Sequence, residues 1–451
     1  MSVSPMLEYF CSRLEGLSVG HFRLEVQNQS SAITPQSIIR VTLPSNALVE
    51  IPSLAWHFNM KATGASTGNA TTRLPNGIDQ VLNRVEVSIG GVSVASGANF
   101  YSVLSKAKDI VDGAELDAGM SHPELITTGA GNNYVDGTAA AAGNEAPVST
   151  NNSAQFCINK WKGFLSSVQP PILSTDLVGD IVVTLFLDQA NNVVTMSDDV
   201  TAAGFILSAT ADNASYELNN MYFTIKAYSM ANGVLDQLYA EQMASNEHLE
   251  VGFLQYFAFR DNNAGATRFN VATQSLNRII VAHQKNVNPI NANRHPVLAA
   301  GYNAIGATAS DRVLDLGKAK YIHPYTQFAE PGTTSKNLYE WQLNGAKYPM
   351  FRATAEDLLL ITRQSGIRGH VSNETMGLEQ YKKDNFVSCM KLTLDAPNAR
   401  YIQGLDVRGT SLNGYYNIYN NNNVAGSGVT IFLECGSSLF ISPGRQVAVV
   451  Q

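Results

Sequence analysis

Val85-Glu-Val-Ser-Ile-Gly-Gly-Val-Ser-Val94 and Tyr339-Glu-Trp-Gln-Leu-Asn-Gly-Ala-Lys-Tyr348 are the two stretches on which the reading of this chain turns. Each alternates apolar and polar residues, breaks at Gly-Gly or Asn-Gly, and alternates again. A period of two marks a strand with one face buried. The two dipeptides accept the positive φ angles of a two-residue hairpin turn. A helical stripe follows each hairpin. The first carries Phe100, Val103, Leu104, Ala107 and Val111. The second opens on the capping-box pattern Thr354-Ala-Glu-Asp357, continues through Leu358, Leu359 and Thr362, and stops at Gly366. Residues 85 and 339 stand 254 positions apart, and so do the helix starts at 100 and 354.

Outward from the hairpins, short alternating runs dominate. Phe22–Val26, Ile38–Leu43, Ile181–Leu187 and Tyr222–Ala227 are examples, most bounded by Gly, Pro, Asn or Asp. Long helical patterns are nearly absent, which excludes the βαβ order of a parallel sheet. Leu185-Phe-Leu-Asp-Gln-Ala-Asn191 echoes Leu392-Thr-Leu-Asp-Ala-Pro-Asn398, and Ser53–Phe58 more weakly echoes Ser275–Ile280. Strands, hairpin, helix and strands thus recur in one order, the mark of a duplication. The shorter offset of the Leu185 echo implies an insertion in the first copy, matched to the small-residue tract 113–154, expected as a long surface loop. The chain is expected to be all-β, two tandem antiparallel β-sandwiches with short helices in the loops. The division reads as an N-terminal helical arm over 1–19, a first unit over 20–231 and a second over 232–451, with the seam near Met230-Ala-Asn-Gly233.

The arm is read from Ser4-Pro5 followed by Met6, Leu7, Phe10, Leu14 and Leu17 at helical spacing. So short a helix is marginal in water and must bury its stripe. With Glu8, Arg13 and Glu15 nearly balanced, it lacks the basic face that suits anionic lipid. These five apolar residues are therefore the candidate contact to another subunit or to an inner layer, with packing on the chain's own core as the alternative.

Charged residues are 15% of the chain, against roughly 25% in average soluble proteins. The surface is therefore built from Asn, Ser, Thr and Gly, which suits a protein that covers itself with its own copies. A net charge of −7 without any basic run argues against direct nucleic-acid binding. Cys11, Cys157, Cys389 and Cys435 lie far apart with no CxxC pair, so zinc ribbons and a dense disulfide framework are excluded. Neither a signal peptide nor a bilayer-length apolar run is visible, and a soluble protein made inside a cell is expected.

Chemistry-bearing patterns are weak throughout. The eight histidines show neither HxH nor HExxH spacing, and His57 and His283, within strand patterns, read as core or interface residues. Gly64-Ala-Ser-Thr-Gly68 fits GxSxG by letters, but sits in a flexible loop rather than a strand-to-helix turn. Gly345-Ala-Lys347 lacks the rest of a phosphate loop. Asp188 and Asp395 repeat at strand ends, where turn chemistry explains them. Sequons start at Asn28, Asn69, Asn151, Asn213 and Asn373, as chance allows in so Asn-rich a chain. No catalytic residue, metal ligand or cofactor is expected.

Three segments carry a family resemblance. They are Leu338-Tyr-Glu-Trp-Gln-Leu-Asn-Gly-Ala-Lys-Tyr-Pro349 with its following helix, Ser275-Leu-Asn-Arg-Ile-Ile-Val-Ala-His283, and the closing Gly428–Ile441. With Tyr216–Ile225 in the first half, the chain resembles the double jelly-roll major capsid proteins of virophages, polinton-like viruses and nucleocytoplasmic large DNA viruses. The resemblance covers about residue 20 to the end. It implies two jelly rolls per chain, a homotrimer forming a pseudo-hexagonal block, and a place in the icosahedral shell of a virion. It further implies neighbouring capsomers and minor capsid and penton proteins as partners, and leaves an internal membrane open as a further one. A carbohydrate-binding or adhesive β-sandwich is the competing reading; it should show an export signal or aromatic platforms.

Overall fold

A computed structural model describes residues 18–27, 32–45, 47–63, 71–73, 77–112, 125–126, 134–136, 148–149, 154–197, 200–201, 204–205, 215–229, 248–261, 265–288, 297–298, 321–332, 336–365, 377–393, 404–409, 412–419, 427–442 and 446–450. The first half contributes eight principal strands: β1 (Ser18–Glu25), β2 (Ile38–Thr42), β3 (Leu48–Thr63), β4 (Leu82–Ile89), β5 (Val92–Ala95), β6 (Ala154–Ile158), β7 (Ile181–Leu187) and β8 (Ser215–Ser229). The second half repeats them as β9 (Leu249–Asp261), β10 (Ala266–Val271), β11 (Leu276–Gln284), β12 (Leu338–Leu343), β13 (Ala346–Ala353), β14 (Val387–Lys391), β15 (Leu412–Tyr419) and β16 (Gly428–Ser442), followed by β17 (Gln446–Val450).

The two halves have one topology. In the first, antiparallel sheets run β1-β8-β3-β6 and β2-β7-β4-β5; in the second, β9-β16-β11-β14 and β10-β15-β12-β13. Each strand of the first set pairs as the strand eight places later does in the second. This is the jelly-roll order, and it occurs twice.

The hairpins fall where the dipeptides put them. Ile89 pairs Val92 across Gly90 and Gly91, at φ 55° and 82°. Leu343 pairs Ala346 across Asn344 and Gly345, at φ 48° and 89°. Helix α1 (Tyr101–Asp112) follows the first hairpin and α3 (Ala355–Ser365) the second, with one-turn helices between them in sequence, α2 (Phe164–Ser167) among them. At α3 the capping box forms: the Asp357 N–H donates to Thr354 Oγ1 at 3.4 Å and Asp357 Oδ2 accepts from the Thr354 N–H at 2.9 Å. The helices hold equivalent places in strand order but pack differently. Thr362 and Ser365 of α3 bond to the backbone of β14 at Val387 and Cys389, whereas α1 leans away from β6 and onto the second roll.

The Leu185/Leu392 echo is not a structural equivalence. Leu185–Leu187 belong to β7, whose counterpart is β15, while Leu392 follows β14. The echo therefore joined strands that do not correspond, and the single insertion inferred from it is corrected. The first half is longer in more than one connection. From α1 to β6 the chain spans 113–153, against 366–386 from α3 to β14; from β7 to β8 it spans 188–214, against 420–427 from β15 to β16. Of the tract 113–153, only the short strands Leu125–Ile126, Tyr134–Asp136 and Val148–Ser149 are described.

Candidate assembly surfaces and the junction between the rolls

The cores of the two rolls interpenetrate. Val251, Phe253, Leu439 and Ile441 of the second half pack into the first core, while Val103, Leu104, Ala107, Ile110 and Val111 of α1 pack into the second. The stripe that makes α1 amphipathic is thus buried against the neighbouring roll. Backbone continuity reinforces the seam: Gln169 and Gly252 exchange both N–H···O bonds, at 2.8 and 3.0 Å. Beside them Ser167 Oγ accepts from the Leu254 N–H at 2.8 Å, and Phe164 meets Phe253 edge to face.

Under α1 lies a buried ionic cluster. Arg278 on β11 makes a fork of two 2.7 Å bonds to Glu434 on β16, its partner across the strand register. Lys108 of α1 reaches Glu434 at 3.3 Å, Asp112 reaches Arg278 at 3.2 Å, and the Tyr256 hydroxyl donates to Glu434 at 2.6 Å. Burial alone would raise the Glu434 carboxyl, but the Arg278 and Lys108 charges outweigh it and hold the group well below the usual carboxylate range. A buried pair of this kind fixes register, because either partner left alone would be an uncompensated charge in the interior.

A second buried polar site is Asp188, at the end of β7, which feels the charge of Arg260 on the other roll. Its Oδ1 accepts from the Gln189 N–H and from Asn192 Nδ2, bracing the turn over 190–193, which is the turn chemistry expected of it. Burial raises this carboxyl to about 6, against the opposing pull of those donors and of Arg260. Arg260 itself lies over the Phe100 ring at 3.5 Å and bonds to Gln284 and Thr430.

The two rolls differ most in the outer faces of their equivalent sheets. All nine residues of β11 and the first twelve of β16 are buried, with α1 lying over the face opposite the core at Arg278 and Glu434. In the first roll β3 and β8 alternate between buried and half-buried over 54–61 and 221–228. That open face carries Arg23 over the Tyr222 ring at 4.1 Å, His57 stacked on Tyr222, and the Lys226–Glu50–Tyr228 group.

Met6, Leu7, Phe10, Leu14 and Leu17 lie outside the described residues, as do Cys11, Gly64–Gly68, Asp395 and all five sequon asparagines. His283 is buried among Tyr339, Phe386 and Tyr416, with Nε2 2.9 Å from the Tyr416 hydroxyl. His57 lies 3.0 Å from Thr224 Oγ1 on the half-open face. Burial pushes the Cys389 and Cys435 thiols up to about 12. Among the described residues no three His, Cys, Asp or Glu side chains form a metal-binding group, and no helix is long and apolar enough to cross a membrane.

Sequence reasoning missed the ionic junction and the free edge at β13. Tyr348, Met350 and Phe351 there are exposed, Met350 at 95%. A signal was present: Tyr348-Pro-Met-Phe351 breaks alternation and places proline in a strand, which belongs at a sheet edge.

No protein-family model and no curated protein matches the sequence. Solved structures match almost throughout. The PBCV-1 virus capsid protein aligns with a TM-score of 0.58 at 10% identity over 97% of this chain and 98% of its own. The Faustovirus major capsid protein aligns at 0.54 and 10% identity, covering 95% and 91%. The capsid structure of the Sputnik virophage gives 0.51 and 10%, covering 96% and 88%. The chain shares with them the double jelly-roll fold.

Proposed function

We propose that this chain is the major shell subunit of a double-stranded DNA virus, three copies forming a pseudo-hexagonal block that tiles an icosahedral capsid. The observation that carries the reading is the junction: two rolls of identical topology are locked by interpenetrating cores and a buried ion cluster into one rigid body. Three such bodies present six near-equivalent units around one axis, which suits a hexagonal lattice. Full-length likeness in fold to capsid proteins supports it.

Its partners in this reading are its own copies, then neighbouring capsomers and minor capsid and penton proteins. The stripe Met6, Leu7, Phe10, Leu14 and Leu17 serves as the contact toward a neighbour or the inner layer. Light scattering after size exclusion tests the central claim. The expected mass is three times the 48.6 kDa chain mass; a stable monomer at micromolar concentration overturns it. A chain lacking residues 1–17 should remain a folded trimer and assemble poorly into sheets under negative-stain microscopy. Unfolding of that chain would place the stripe in the core.

A further inference from the structure

The sheet β10-β15-β12-β13 turns one face away from its core. Phe269, Trp341 and Tyr416 point inward, so alternation sends Arg268, Gln342 and Tyr415 to the other side. Register sets these outward side chains in rows. Arg268, Tyr415, Gln342 and Lys347 stand side by side across the four strands. A cation therefore ends the row on each side, with three strand spacings between them, roughly 14 Å. In the next row Asn417 stands beside Glu340.

The chemistry of this face differs from that of its counterpart. Its four strands hold three cations, Arg268, Lys347 and Arg352, and one carboxylate, Glu340, a net of +2 on a chain of net −7. Glu340 is buried, with Lys347 at 3.4 Å and the Tyr419 hydroxyl donating to it at 3.1 Å. Arg268 and Arg352 are exposed, and among the described residues neither meets a carboxylate. Arg352 lies over the Tyr419 ring at 3.8 Å, and Arg268 bonds to Asn413 at 3.2 Å. Stacking on a ring holds a guanidinium in place while its N–H groups stay available to an anion. On the equivalent first-roll sheet Arg84 meets Glu86 at 2.7 Å, and the four strands contain no tyrosine. On the half-open face of β1, β8 and β3, Arg23, Lys61 and Lys226 each have their own carboxylate.

We infer that the outer face of the β10-β15-β12-β13 sheet binds an anionic polysaccharide, a hydroxyl-rich chain bearing carboxylates. The guanidinium groups of Arg268 and Arg352 match carboxylates. The half-buried Tyr415 and Tyr419 offer ring surface to the C–H faces of sugars, and Gln342, Asn413 and Asn417 offer donors and acceptors to hydroxyls. Nucleic acid calls for a denser basic track than these few cations. An acidic peptide would use the charges and leave the rings and amides without a role. The inference goes beyond the shell reading, giving the subunit a means of holding glycan, and does not depend on trimers forming.

Affinity electrophoresis tests it, in gels holding polygalacturonate or hyaluronan, with dextran, polyglutamate and an oligothymidylate as comparison polymers. At least one polyuronate should retard the native chain, less so as salt rises, and the comparison polymers should not. Arg268→Gln and Arg352→Gln should each weaken binding about tenfold, the worth of one hydrogen bond to a charged group. Tyr415→Leu should weaken it as well, and all three variants should keep the native melting temperature. Arg40→Gln, at the exposed arginine of the equivalent first-roll sheet, should change nothing. Retardation by neither polyuronate overturns the inference, as do arginine variants that bind like the native chain. Equal retardation by polyglutamate or the oligothymidylate, or an equal loss in Arg40→Gln, shows general charge attraction and overturns it too. Dextran binding as tight as that of a polyuronate removes the arginines from the recognition and overturns it likewise.

Discussion

Arg278 and Glu434 show how much a single pair can matter when both partners are buried. Replacing Arg278 with Met leaves Glu434 and Asp112 facing Lys108 alone in the interior. Loss of one member of such a pair costs about 3–5 kcal/mol, and chemical denaturation at pH 7 should read a loss of that order. Arg408, fully exposed beside Asp406 at 2.6 Å, is the control, and its replacement by Ala should leave stability unchanged. Asp188 gives a pH signature of opposite origin. Its folded pKa, raised by burial to about 6, exceeds the unfolded value of about 3.9. The folded state therefore holds the proton more tightly, and this group's contribution is lost as pH rises from about 4 to about 6. Denaturation midpoints across that window should fall for wild type relative to Asp188→Asn and then run parallel above it; a relative rise would contradict the assignment.

At the scale of elements, the hairpin turns and α3 are local constructions. Their determinants, Gly-Gly, Asn-Gly and the Thr354/Asp357 box, lie within a few residues of what they shape, which is why the order of residues alone discloses them. Thr354→Ala should cost about 1 kcal/mol, the usual worth of an N-cap, seen as a small drop in melting temperature with the fold unchanged. The stripe of α1 was equally legible, but its destination was not. Alternation of three and four residues says that one face is buried, not which roll buries it. The Leu185/Leu392 echo failed for a related reason: a match of a few residues carries no record of its place in the sheet, and sequence order alone cannot tell the seventh strand from the segment after the sixth.

For the whole molecule, interpenetrating cores make the two rolls one cooperative unit. Calorimetry of the intact chain should give a single unfolding transition, because Phe253 and Ile441 stabilise the first roll while α1 stabilises the second. Residues 232–451 expressed alone should fail to fold stably, since α1 would be missing from the face of β11 and β16 and the Arg278–Glu434 pair would lose Lys108 and Asp112. Two separated transitions, or a well-folded isolated half, would show the junction to be weaker than its burial implies.

What the sequence determined by itself was what short-range chemistry sets: the all-β class, both hairpins, both helices and the duplication. Period-two alternation and turn residues act over a few positions and leave their trace in the string of letters. Only the tertiary structure decided which surface meets which. Arg278 and Glu434 are 156 residues apart and Lys108 and Glu434 are 326 apart, and a pairing over such distances is fixed by the topology that brings β11, β16 and α1 together, not by any local preference. The same holds for the free edges at β1 and β13: a strand becomes an edge because of where its neighbours stop, and that is a property of the assembled sheet.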